Sequence, residues 1–195
     1  MPGDPAPDVR ALPLRRIAIE AVLRRNARAH RLSRRAKLKT LLIVYHTGGV
    51  KTAQMAHAVE RGALAALKEA ESEGEVRVVL KRCADAGPDD LLGADALALG
   101  TPENFGYMSG MMKDFLERVF YVCEGKIEGR PWALFVSAGQ DGTGAITSVE
   151  RIVTGLRLKK VRNPILALRE VTPEIVAQCE DLGATLAVGI AAGAL

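Results

Sequence analysis

The residues with the clearest capacity for chemistry lie where an apolar run stops: Leu41-Leu42-Ile43-Val44-Tyr45 gives way to His46-Thr47-Gly48-Gly49-Val50-Lys51-Thr52. A strand that meets a helix through small residues aims the first backbone N–H groups of that helix, and the positive end of its dipole, at any anion placed there. Thr47 and Thr52 add hydroxyl donors. Lys51 either pairs with a phosphate or points to solvent. The segment lacks the full G-x-x-x-x-G-K-[ST] of a triphosphate loop and the G-x-G-x-x-G of a dinucleotide fold, so a monophosphate suits it better than a nucleoside triphosphate or NAD. An ordinary glycine turn would have the same composition, and this segment alone does not separate the two readings.

Other chemistries find less support. His30, His46 and His57 show no metal-ligand spacing, and Cys83, Cys123 and Cys179 form no C-x-x-C pair. We therefore assign no metal, no disulfide framework and no iron–sulfur site, and read the thiols as reduced and cytoplasmic. Charged residues interrupt the hydrophobic stretches before the roughly 18 to 20 apolar residues a membrane helix needs, so no membrane span is expected.

Elements that would position the loop follow from periodicity. After Lys39 the chain alternates strands and helices: a strand at 41–45, helical spacing from Met55 to Leu67, and strands at 76–80 and 96–100, the latter stopping at Thr101-Pro102. A helix carries Met112, Phe115, Leu116, Val119, Phe120 and Cys123 on one face. A strand at 132–136, a helix at 146–156, a strand at 164–168 and a helix opening at Thr172-Pro173-Glu174 complete the series. Five continuously apolar strands alternating with helices imply a three-layer, doubly wound α/β fold with a parallel sheet covered on both faces. Ligands bind outside the carboxyl ends of such strands, which here means the segments after strands one, three and four.

Charge divides the chain. Residues 1–39 hold eleven Arg or Lys and three acidic residues, a balance of +8, and the remainder holds 16 basic and 20 acidic residues, or −4. The basic character belongs to an N-terminal extension, 1–38, distinct from a domain at 39–195. Within it, residues 14–32 fit a basic amphipathic helix, readable as a nucleic-acid or anionic-surface contact or, as the reading we prefer, a solvated extension. Nucleic acid is not expected as a partner.

One segment is more specific. Gly100-Thr101-Pro102-Glu103-Asn104-Phe105-Gly106-Tyr107-Met108, continuing through Met112-Lys113-Asp114-Phe115-Leu116, resembles the G-[TS]-P-x-x-F-G-x-M-x-x-x-M-K-x-F-L pattern of the flavodoxin-like family, in its NAD(P)H:quinone and FMN reductase branch. The resemblance runs from about residue 40 to the C-terminus. It implies a five-stranded sheet of order 2-1-3-4-5, an FMN cofactor, and electron transfer from NAD(P)H to a quinone or other small acceptor. A flavodoxin-type carrier without turnover is the alternative. The resemblance also implies that Thr47, Gly48, Gly49, Val50, Lys51 and Thr52 hold the FMN phosphate and that Thr101, Pro102, Glu103, Asn104, Phe105 and Gly106 border its ring. Ser137, Gly139, Gln140 and Gly142 would form a third flavin loop. No catalytic side chain is assigned, because a flavin carries its own chemistry, and the branch implies a homodimer or homotetramer. Val50 and Lys51 depart from the family's usual Gly and Asn. A β-branched residue tolerates positive φ badly, so this turn must be shaped differently.

Overall fold

The computed structural model describes residues 38–195. The expected basic helix at 14–32 lies outside the described residues. The first strand, β1 (Lys39–Tyr45), is followed by α1 (Lys51–Glu69), β2 (Val76–Arg82), α2 (Pro88–Gly93) and β3 (Ala96–Asn104). Then come β4 (Tyr107–Met108), α3 (Gly110–Cys123), β5 (Pro131–Ala138), α4 (Thr143–Gly155), β6 (Lys159–Lys160), β7 (Ile165–Leu168) and α5 (Pro173–Ala192).

The main sheet runs β2-β1-β3-β5, with its last position filled by two short strands. Strand β6 pairs in parallel with Pro131 and Trp132, and β7 pairs in parallel with Phe135 to Ala138. The fifth strand of the expected 2-1-3-4-5 order is thus broken, and Pro164, which has no N–H for the ladder, stands in the break. The added β4 is antiparallel to the end of β3.

Alternation along the strands supplies two cores. Leu41, Ile43, Tyr45, Ala96, Ala98 and Phe135 face α1 and α5, whereas Leu42, Val44, Leu97, Leu99, Leu134 and Val136 face α2, α3 and α4. Strands β1 and β5 and the first two thirds of β3 are buried on both faces and read as continuous apolar runs, whereas the edge strand β2 carries Arg77, Lys81 and Arg82. Helix α5 corrects one expectation: it is long and apolar enough to cross a membrane by length and composition, although 61% of its apolar window is buried inside this domain.

Strand β3 outruns its expected end. It passes through Pro102, which is paired with Ser137 of β5. The Gly100 carbonyl faces β1 and accepts from His46 N–H at 2.9 Å. Two residues on, Pro102 faces the same side, past the end of β1, so its missing N–H removes no ladder bond. Between β2 and β3 lies helix α2, opened by Pro88 at its first turn and bridged by Asp90, whose carboxylate accepts from Gly87 N–H at 3.0 Å.

Candidate flavin cleft

A cleft of about 410 Å³ opens at the carboxyl ends of β1, β3 and β5. Thr47 to Thr52 form one wall, Pro102, Glu103 and Asn104 a second, and Ser137, Ala138 and Gly139 a third. Those are the three loops singled out in the sequence, and a size of several hundred Å³ is ordinary for a cofactor site.

The first wall is the start of α1. Val50 is the N-cap residue with φ −100°, so the loop turns without a left-handed residue at the position where the family carries glycine. Valine gives no side-chain cap, and the first turn has no acidic residue. The opening amides of a helix have no intrahelical acceptor, and Ser, Thr, Asp or Asn would normally serve them. A 19-residue helix that leaves them without a side-chain cap at the edge of a cleft is prepared for an external anion. Gly48 and Gly49 point the same way. Neither has positive φ, and a Cβ built on either meets nothing within 4 Å. Local conformation and packing do not require glycine there, but close approach of a ligand to the backbone would.

Side chains tie this wall to its neighbours. Thr52 is buried, and its hydroxyl lies 2.8 Å from that of Ser137. Only one proton can occupy that bond, so the second hydroxyl hydrogen of the pair remains available to an acceptor in the cleft. Thr47 donates to the Gly49 carbonyl at 2.5 Å, and the Lys51 ammonium donates to the Arg169 carbonyl.

The second wall is braced from beneath by α4. The Glu103 carboxylate accepts from Gly142 N–H at 3.1 Å and, more weakly, from Ala145 N–H at 3.4 Å. Met108 N–H donates to the Ser148 hydroxyl at 3.1 Å. A Cβ on Gly144 would sit 1.7 Å from the Gly106 carbonyl oxygen, so α4 and the β3–β4 turn are in backbone contact that only glycine permits. At the tip, Phe105 and Gly106 have φ of 54° and 70°, the pattern of a primed two-residue hairpin turn. Phenylalanine there incurs local strain, and its ring is fully exposed.

Several expected residues stand outside the cleft lining. Thr101 is fully buried and serves the fold: its hydroxyl donates to the Pro102 carbonyl at 2.9 Å and accepts from Ser109 N–H at 3.0 Å. Phe105 and Gly106 lie at the hairpin tip, Gln140 is exposed, and Gly142 is the left-handed N-cap of α4. Ala138 also lines the cleft, between Ser137 and Gly139. Burial raises the Cys83 and Cys179 thiols to about 12, and Cys123 is also pushed up by burial, so none is poised as a nucleophile. Before the loop, burial and then the nearby Arg82 hold His46 below the ordinary histidine range, and its Nδ1 has no partner among the described residues.

Residues 84–172 match the model of the family described as NADPH-dependent FMN reductase. The chain is 37% identical over 117 residues to a flavodoxin of Aquifex aeolicus, covering 60% of this chain and 59% of that one. These matches make the chain similar to proteins of the flavodoxin-like family. It is also 30% identical over 133 residues to an NAD(P)H dehydrogenase (quinone) of Acidithiobacillus ferrooxidans, covering 61% of this chain and 66% of that one. It therefore spans less than two thirds of either curated relative's length. Among solved structures, a flavodoxin from the domain Archaea superposes with a TM-score of 0.64 at 23% identity, covering 76% of this chain and 96% of that one. A flavodoxin, WrbA-like protein from Agrobacterium tumefaciens gives 0.60 at 20% identity, with coverages of 78% and 97%. These two likenesses concern the fold.

Proposed function

We propose that this flavodoxin-like protein binds FMN in the three-loop cleft and works as a cytoplasmic oxidoreductase, taking electrons from NAD(P)H and delivering them to a quinone or another small acceptor. The observation that carries the flavin reading is the uncapped start of α1, opening with Gly48 and Gly49 into the cleft. The match of residues 84–172 to the reductase family favours the enzyme.

The residues present fit the cofactor. The first-turn amides of α1, the Thr52–Ser137 hydroxyl pair and Lys51 would hold the phosphate. Pro102, Glu103, Asn104 and Gly139 would flank the ring, with the exposed Phe105 and half-exposed Tyr107 supplying aromatic surface beyond the rim. When bound, FMN would supply two-electron redox chemistry between a nicotinamide and the acceptor. The chain's task is to fix the ring, limit access to it and set the local field.

A second reading, a flavodoxin-type carrier, is favoured by the Aquifex relative. Absorbance and fluorescence titration with FMN tests binding; steady-state NAD(P)H oxidation with a quinone then separates the readings. FMN-loaded protein that turns over neither nicotinamide leaves the carrier. The homodimer or homotetramer expected of the branch is tested by sedimentation.

A further inference from the structure

Glu103 does more than its place in the family pattern requires. It lines the cleft, is half-buried, and reaches the start of α4 with both carboxylate oxygens, toward Gly142 and Ala145. The Gly144 contact with Gly106 and the Met108–Ser148 bond hold the same turn, so the loop has other anchors. A neutral acceptor would suffice for a clamp. A carboxylate also places a negative charge on the wall of a partly desolvated cleft, where charge acts more strongly than in open water.

We infer that Glu103 is a positioning residue that sets the redox balance of the bound cofactor, holding the third loop while its charge disfavours the electron-rich state. This rests on the flavin reading above. Reduction adds two electrons to the ring, and with the uptake of a single proton it leaves the reduced ring with a net negative charge that the oxidised ring lacks. A nearby fixed anion therefore weakens binding of reduced FMN more than that of oxidised FMN, and by linkage the bound cofactor becomes the stronger reductant. A purely mechanical clamp would change both affinities alike.

The experiment measures FMN affinity in both oxidation states, aerobically with oxidised FMN and anaerobically with chemically reduced FMN, for the parent chain and three variants. Glu103→Gln should raise the affinity for reduced relative to oxidised FMN about tenfold, equivalent to about 30 mV for a two-electron couple. Glu103→Asp, which keeps the charge, should leave the ratio within about twofold of the parent. Asn104→Lys offsets the charge while leaving the clamp intact, and should move the ratio in the same direction as Glu103→Gln even if that variant folds poorly. Equal weakening of both forms in Glu103→Gln, or an unchanged ratio in Asn104→Lys, overturns the electrostatic role while leaving the flavin reading intact. A parent chain that binds FMN in neither state overturns both.

Discussion

The first and second walls of the cleft are built on opposite terms. From Thr47 to Thr52 the chain leaves hydrogen-bonding capacity open: an uncapped helix start and two glycines that meet nothing. From Gly100 to Ser109 the groups are committed, with Thr101 bonded to Ser109, Glu103 and Met108 tied to α4, and Gly106 pressed against Gly144. The first wall is shaped for something that arrives, the second for something that must stay in place. A cofactor site needs both, because binding is favoured by unsatisfied donors while precise orientation requires a supported frame.

Glycine substitution breaks this contrast most sharply. Gly144→Ala should destabilise the domain by about 3 kcal/mol, since its new methyl meets a backbone oxygen rather than a movable side chain. Gly49→Ala should change stability by less than about 1 kcal/mol, in either direction, yet weaken FMN binding severalfold. Denaturant melts and flavin titrations read the two effects. If both glycines behaved alike in the melts, the distinction between the walls would fail.

Capping the open helix sharpens the comparison. Val50→Asp should stabilise the protein by about 1 kcal/mol, because an aspartate serves the first-turn amides and complements the helix dipole. FMN affinity should fall at least tenfold as the carboxylate takes the phosphate's place. A variant that gained stability and kept its affinity would move the anion site elsewhere.

A smaller effect concerns Lys51. Lys51→Asn should lower FMN affinity about threefold at low salt and reduce its salt dependence, because exposed charge pairs are worth little and are screened. Riboflavin, which lacks the phosphate, should bind parent and variant equally. A matching loss for riboflavin would make Lys51 a tether for the Arg169 carbonyl alone.

The smallest effect is the pH response of His46. Its folded-state pKa is depressed by burial and by Arg82, so the unfolded chain takes up the proton first as pH falls. Its contribution is complete above the ordinary value of 6.5 and is lost as pH drops through the folded value. His46→Gln should flatten the fall in Tm below pH 6.5, and an unchanged slope would assign that fall to other groups.

Much of this molecule was legible residue by residue. The apolar runs at 41–45 and 132–136 gave buried parallel strands because both of their faces are covered, and Thr172-Pro173 marked the start of α5, where the Thr172 hydroxyl accepts from Ile175 N–H. The loops of the cleft followed from where those strands end. Less legible was the passage of β3 through Pro102, since a proline reads as a stop unless one knows that the neighbouring strand has already ended. Thr101 illustrates the same difficulty: a hydroxyl in the right motif can face the ligand or the fold, and motif position does not say which.

By itself, the sequence determined the layered α/β architecture and the three loops, because hydrophobic period and small-residue turns are local properties of the chain. Only the tertiary structure decided which groups remain free for a ligand. Thr52 meets Ser137 across 85 residues, Glu103 meets Gly142 across 39, and the start of α1 at Val50 has no side-chain cap. Whether a donor is spent or open depends on partners brought together by packing, and no local pattern records that.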